Sequence, residues 1–245
     1  MPEHTIPYIF SITKESRVLT YFGAEHQTDI KHPQFDLLKN EFGKFMSPHM
    51  NKIVFTEGGV GKSYDNIVTA TSHEGEAGFI SFLAAQHSVP IFSPEPPSDY
   101  EIGELLKKFS EIEIVYYYLA RVIAQFYGQN GVNDLGAYVD QIVKNDLSSP
   151  HFSKIYSFKD INDLHQKLFT FSLDLSDNEF FANVSNPLLS QSIVNRVAEE
   201  SGYIRDYFII DKISEHWRLG FSIFIVYGYT HAVMQENCIR ETLGK

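Results

Sequence analysis

The apolar residues of this chain switch between two rhythms. Residues 6–13 and 17–23 are dense in β-prone and aromatic side chains and are separated by Lys14-Glu15-Ser16, which predicts an N-terminal hairpin. Pro33 then opens a run in which Phe35, Leu38, Phe42 and Phe45 recur at helical spacing. Lys52-Ile53-Val54-Phe55-Thr56 reads as the next strand and stops at Glu57-Gly58-Gly59. From Glu76 to His87, Ala77, Ile80, Leu83 and Ala84 return to helical spacing, and Ser88 to Ser93 follows as a short strand before Pro94-Glu95-Pro96-Pro97. Strand, helix, strand, helix, strand predicts an α/β fold with a mostly parallel central sheet and right-handed crossovers.

Residues 99–170 are helical throughout, with Ile102, Leu105, Leu106 and Phe109, then Val115, Leu119, Val122 and Phe126, then Leu135, Val139 and Ile142 as the inward set. Tyr116-Tyr117-Tyr118 and Phe126-Tyr127 are read as packing surface rather than a cofactor box. Ser176-Asp177-Asn178-Glu179 predicts a capping box, and Asn186-Pro187 predicts a second helix start, with an end at Ser201-Gly202. Tyr203 to Trp217 is expected to form another helix with Ile204, Phe208 and Ile213 inward, Ser222 to Tyr227 the last strand, and Thr230 to Leu243 a helical tail burying Ala232, Val233 and Ile239. The expected organisation is a single α/β domain, 1–245, in which 99–170 form a large helical insertion or cap.

Composition narrows the class. The chain has 245 residues, 43% hydrophobic and 14% aromatic, enough for a large core. Its formal charge is -11, from 31 acidic and 20 basic residues, and no Lys/Arg stripe could track phosphates, so nucleic acid is not an expected partner. A small-molecule or peptide substrate is expected instead. Cys238 is the one cysteine, which excludes an intrachain disulfide and a Cys-based zinc cluster and reads as a partly buried helix residue. MPEHTIPYIF lacks the basic and apolar regions of a secretory signal, and Leu219 to Tyr229 is too short for a membrane span, so a cytoplasmic location is expected.

Chemistry gathers where strands end. Val18 to Phe22 runs into Gly23-Ala24-Glu25-His26, and Phe224 to Tyr227 runs into Gly228-Tyr229-Thr230-His231, so Gly-x-x-His follows a strand at both ends of the chain. In parallel sheets ligands sit beyond the carboxyl ends of strands, which would give His26, Glu57 and Glu95 one shared edge. Arg205-Asp206 lies in a helix before the last strand. Glu74 and Glu76 are read as acidic first-turn residues of their helix, and His32, His49, His73, His87, His165 and His216 show no matched spacing. Glu57-Gly58-Gly59-Val60-Gly61-Lys62-Ser63 has the look of a phosphate-binding loop. Glu57 would oppose phosphate there, and Ser63 to Thr69 reads as turn and strand rather than the required helix, which leaves nucleotide hydrolysis a minor alternative.

Together, Phe22-Gly23-Ala24-Glu25-His26, Val54-Phe55-Thr56-Glu57, Ile204-Arg205-Asp206-Tyr207-Phe208-Ile209 and Tyr227-Gly228-Tyr229-Thr230-His231 resemble, in kind and order, the motifs of the superfamily that joins TraB, PrgY and GumN proteins with the TIKI metalloproteases. More distantly they resemble the erythromycin-esterase and ChaN-like proteins. Ile209 stands where the arginine motif has methionine, and Ala24 where esterase-like members tend to have glutamate. The TIKI resemblance implies a metallohydrolase in which His26, Glu57 and His231 hold zinc, manganese or cobalt, and the metal activates water and polarises a carbonyl. The esterase resemblance implies a histidine, held by a carboxylate, acting on water as general base, and in both schemes His26, Glu57 and His231 carry the reaction. Arg205 is expected to hold an anionic substrate group or to orient a carboxylate, and Glu95 is a second-rank candidate placed by its strand end rather than by a motif. Hydrolysis of an ester or amide is the leading expectation. The alternative is a binding or signalling protein of the TraB/PrgY kind.

Overall fold

The computed structural model describes residues 5–47, 51–58, 64–128 and 133–244. Strands β1 (Tyr8–Lys14) and β2 (Arg17–Ala24) form the expected hairpin, paired from Tyr8 opposite Gly23 to Lys14 opposite Arg17. Helix α1 (Pro33–Met46) begins at its proline and buries Phe35, Leu38, Phe42 and Phe45. After β3 (Lys52–Thr56), α2 (Ile67–Gln86) starts nine residues before Glu76. The Asn66 side chain accepts the Thr69 N–H at 2.9 Å, and this cap outweighs the weak strand preference of Ile67-Val68-Thr69. A helix therefore does follow the glycine-rich loop, whose residues 59–63 lie outside the described ones. Strand β4 is only Ile91–Phe92, because Pro90 has no N–H for the ladder and Pro94 follows closely.

Residues Pro96–Arg205 form a compact helical unit of their own, longer than the 99–170 segment read from the pattern. It contains α3 (Ser98–Leu105), α4 (Glu111–Phe126), α5 (Leu135–Val143), α6 (Ile161–Leu168), α7 (Asn178–Val184) and the first half of α8 (Ile193–Arg218). Helix α4 is its axis, capped by a reciprocal Ser110–Glu113 box, and its buried residues include the whole run Ile114 to Ala120. The three tyrosines are packing residues whose hydroxyls are all paired: Tyr116 with His165 Nδ1 at 2.8 Å, Tyr117 with Ser201 at 3.2 Å, Tyr118 with Glu101 at 3.0 Å.

Three details of this unit depart from expectation. Val143 rather than Ile142 turns inward, leaving Ile142 46% exposed. Asn186-Pro187 makes a turn, with Asn186 Oδ1 accepting the Leu188 N–H, and the helix begins only after Ser192 and Asn195 exchange hydrogen bonds. Finally, α8 passes unbroken through Ser201-Gly202. Ser201 is buried and donates to Glu101 at 2.6 Å, an anchor that offsets the helix penalty of about 1 kcal/mol for a glycine.

The remaining unit, residues 1–95 and 206–245, is the α/β part. Strand β5 (Ser222–Gly228) enters the middle of the sheet, whose order is β1-β2-β5-β3-β4, with β2, β5, β3 and β4 all parallel. Every residue of β5 is buried, as a central strand covered on both faces requires. Ile223, Ile225 and Tyr227 face a layer formed by the second half of α8 and by α9 (Tyr229–Gly244), which contributes Ala232, Ile239 and Leu243. Phe224 and Val226 face α1 and α2. Among the described residues, no helix is long and apolar enough to cross a membrane.

Gly23 sits where β2 meets α9. A Cβ there would come within 2.7 Å of Ala232 Cβ, 2.9 Å of Tyr229 Cα and 2.9 Å of the Tyr8 carbonyl oxygen. Gly23→Ala is expected to destabilise the protein by about 1–3 kcal/mol, seen as a lower thermal midpoint. His165 supplies a second test. It is fully buried among Phe169, Phe171, Phe180 and Tyr116, its Nε2–H donating to the Phe171 carbonyl at 3.0 Å and its Nδ1 accepting from Tyr116. Burial lowers its pKa below 6.5, so the fold favours the neutral ring. That stabilisation is complete above pH 6.5 and is lost as pH falls through the folded-state pKa. Amide protection factors in α4 and α6, corrected for the slower intrinsic exchange at acid pH, should fall from pH 7 to pH 5, and less so in His165→Phe; an equal fall in both proteins would contradict this account.

Candidate functional site

The position of β5 creates the site. Strand β2 leads to α1 on one face of the sheet, and its neighbour β5 leads to α9 on the other. On the opposite side of β5, β3 leads to α2 on the α1 face. Adjacent strands whose connections part to opposite faces leave a crevice at their carboxyl ends, and here β5 has one on each flank. His26, Glu57 and Gly228 all lie at these ends.

His26 follows β2 in a loop that is clamped through its backbone. Gln34, only 2% exposed, donates from Nε2 to the Glu25 carbonyl at 2.7 Å and accepts the Glu25 N–H at 3.1 Å. The His26 ring itself is held by Glu76, whose Oε1 lies 2.5 Å from Nδ1. A carboxylate can only accept, so Nδ1 carries the proton and Nε2 is left as the basic nitrogen. Glu76 reaches this place because α2 kinks at Gly75, which has φ 56° and ψ -136°. A side chain at Gly75 would meet the Gln27 carbonyl oxygen at 2.8 Å as well as strain the backbone, so the position requires glycine. The hydrogen bond to Glu76 raises the His26 pKa above 6.5; burial opposes the rise, and the charges of Glu76 and Glu57 add to it.

Gly228 joins the two halves. A Cβ at this position would lie 3.0 Å from His26 Nε2 and 3.4 Å from Glu57 Oε2, so both groups stand over the same glycine. The Gly228 N–H donates to Glu57 Oε2 at 2.8 Å, and the Glu57 N–H donates to the Val226 carbonyl at 3.2 Å. His231, in the first turn of α9, has Nε2 3.7 Å from Glu57 Oε1 and Nδ1 3.3 Å from Asp206 Oδ1. The same Asp206 oxygen accepts from Gln235 Nε2 at 2.7 Å, and Gln235 Oε1 accepts from the Tyr21 hydroxyl at 2.9 Å. Thus two imidazoles, each with Nδ1 on a carboxylate, flank Glu57.

His26 and Glu57 thus stand over Gly228, and His231 lies on the other side of Glu57. Glu95 lies three residues beyond β4, and its charge reaches the same sheet edge. Burial, with Glu95 as the first of the nearby charges, raises the Tyr227 pKa far above its usual value, and burial with the charges of Asp206, Glu57 and Glu95 does the same for Tyr21. Arg205 is the last residue of the helical unit, where its charge bears on buried Arg121. Asp206, next to it in sequence, is the residue that touches His231.

Glu76 is a correction: it is not a solvated first-turn charge but an 8% exposed partner of His26. The signal in the sequence was Gly75 beside it, a kink-permitting residue inside a helical pattern. Gln235 gave no signal except its place on the inward face of the tail helix. Among the described residues, no three His, Cys, Asp or Glu side chains are gathered closely enough to hold a metal ion. Comparisons with protein-family models, with curated proteins and with solved structures returned no match.

The two motif glycines should respond differently to alanine. Gly228 has no positive φ, and the atoms nearest to a Cβ there belong to the exposed His26 ring and the end of the Glu57 side chain. Gly228→Ala is expected to lower the thermal midpoint less than Gly23→Ala while displacing the His26 ring resonances in NMR spectra. Equal loss of stability with unmoved His26 resonances would contradict the placement.

Proposed function

We propose that this protein is a hydrolase that cleaves an ester or amide bond of a small molecule or peptide, with His26 as the general base. The observation that carries the reading is the His26–Glu76 pair. A buried carboxylate fixes the ring at 2.5 Å and leaves Nε2 over Gly228, beside Glu57, on a side chain that is 71% exposed. A base must meet solvent water and still be oriented, and this imidazole satisfies both. His26 Nε2 takes a proton from water as its oxygen attacks the carbonyl carbon. Glu57, anchored by the Gly228 N–H, aligns that water. His231, entering the step as the imidazolium with its Nδ1–H on Asp206, delivers its Nε2 proton to the departing oxygen or nitrogen as the bond to carbon breaks and is left neutral; the proton taken by His26 then passes to solvent, from which His231 is recharged. The resemblance to TraB/TIKI and esterase-like proteins supports this reading, because the residues that carry it are the ones assigned these roles.

A second reading has its own support. Both imidazoles have Nδ1 held by carboxylates, the arrangement that commonly orients metal-binding histidines. His26, Glu57 and His231 would supply two nitrogens and an oxygen to zinc, manganese or cobalt, which would polarise the carbonyl. These side chains are not gathered at coordinating distances, so no step above passes through a metal.

The test is a panel of activated esters and peptide amides, assayed from pH 5 to 9. The base works unprotonated and its pKa is raised, so kcat/KM should climb with pH through a value above 6.5. His26→Ala should lower turnover by about 10²–10⁴-fold. Glu76→Gln should lower it too and move the acid limb to lower pH, since the bond that raises the pKa is weakened. Turnover unaffected by His26→Ala would overturn the proposal, and ligand binding without turnover would favour a binding protein. Stoichiometric metal that disappears in the His26→Ala, His231→Ala double variant would favour the second reading.

A further inference from the structure

We infer that Gln235 is a positioning residue that fixes His231 by locking Asp206, and that Tyr21 sets the orientation of its amide. The importance of His231 in turnover rests on the hydrolase reading; the positioning itself does not. Gln235 is 1% exposed, among the most buried polar residues of the α/β unit, and it occupies an inward position of α9 otherwise filled by Ala232, Ile239 and Leu243. Burying an amide on an apolar face costs about 1–3 kcal/mol unless both its ends are paired. Both are paired here, and the partners dictate which end is which. Asp206 can only accept, so it must receive the NH₂, which it does at 2.7 Å; the Gln235 oxygen then accepts the Tyr21 hydroxyl at 2.9 Å. Tyr21 is itself fully buried and stacks on Phe10, so it is not free to turn away.

The chain of donors runs one way, from Tyr21 O–H to Gln235, and from Gln235 N–H to Asp206 Oδ1. His231 Nδ1–H approaches the same oxygen at 3.3 Å, the longer of the two bonds. The contact with His231 is too long to orient the carboxylate alone. The shorter Gln235 bond therefore pins Asp206, and Asp206 so pinned selects the His231 tautomer with the proton on Nδ1. That leaves Nε2 on the side of Glu57.

Isotope-labelled histidine NMR reads this directly, without a substrate. In the wild-type protein the neutral His231 ring should show one tautomer, protonated at Nδ1. Gln235→Met keeps the length and removes both polar ends, and should give a mixture of tautomers at His231 with His26 unchanged. Tyr21→Phe removes only a hydroxyl, keeps the ring packing, and should produce a smaller shift in the same direction, which covers a Gln235→Met protein that fails to fold. An unchanged His231 tautomer in Tyr21→Phe and in any folded Gln235→Met protein would overturn the inference, as would equal changes at His26 and His231. A changed tautomer in a protein that hydrolyses nothing would uphold it and count against the hydrolase reading alone.

Discussion

The insertion of β5 between β2 and β3 is the constraint on which the rest of the structure depends. Its registers set Gly228 beside Ala24 and Val226 beside Thr56, so that residues from both ends of the chain meet at one sheet edge. The hairpin and the β2-α1-β3 crossover leave a slot one strand wide, and the most apolar run of the C-terminal region fills it. Because β5 is buried on both faces, a register slip of one residue would exchange Ile223, Ile225 and Tyr227 with Phe224 and Val226 and disturb two cores at once. The strictness of that register is what positions Gly228, and with it the Glu57 carboxylate, to within hydrogen-bonding tolerance.

The two Gly-x-x-His segments look like copies, but the fold uses them differently. Gly23 is a packing glycine, pressed between β1 and α9, and the residues after it leave the sheet as a loop. Gly228 is a spacing glycine that makes room for His26, a residue from the other segment. His231 then lies in the first turn of a helix rather than in a loop. Each histidine has acquired its own carboxylate from a helix on its own side of the sheet, Glu76 from α2 and Asp206 from α8. The motifs interlock more than they repeat.

What could be read from the chain follows from which forces act locally. Hydrophobic periodicity reports burial, so α1, the hairpin, β5 and the α/β class were legible, as was the placement of His26 and Glu57 just beyond the ends of β2 and β3. Local breaker signals were less trustworthy. Ser201-Gly202 reads as a helix end, but the buried Ser201–Glu101 bond is a contact between residues far apart in sequence. The start of α2 was missed for the opposite reason: a single cap at Asn66 decided it against the preference of the three residues that follow. Glu76 and Gln235 were invisible because a carboxylate or amide on a helix looks solvated until its partner is known. Glu76 meets His26 from 50 residues away, and Gln235 meets Asp206 and Tyr21 from 29 and 214 residues away.

The electrostatics of the edge explain why the two histidines are unequal. The charges of Glu57, Glu95 and Asp206 all bear on Tyr21, and Glu76 stands against His26, so the edge carries more carboxylates than imidazoles. At His26 the hydrogen bond to Glu76, with the charges of Glu76 and Glu57, raises the pKa above 6.5 although burial opposes the rise. Exposure separates the two rings. His26, with 71% of its side chain in solvent, has its field screened by water, whereas His231, at 21%, is more enclosed between Asp206 and Glu57. The two rings therefore differ in access more than in partners: each has a carboxylate at Nδ1, but only His26 turns most of its ring to solvent.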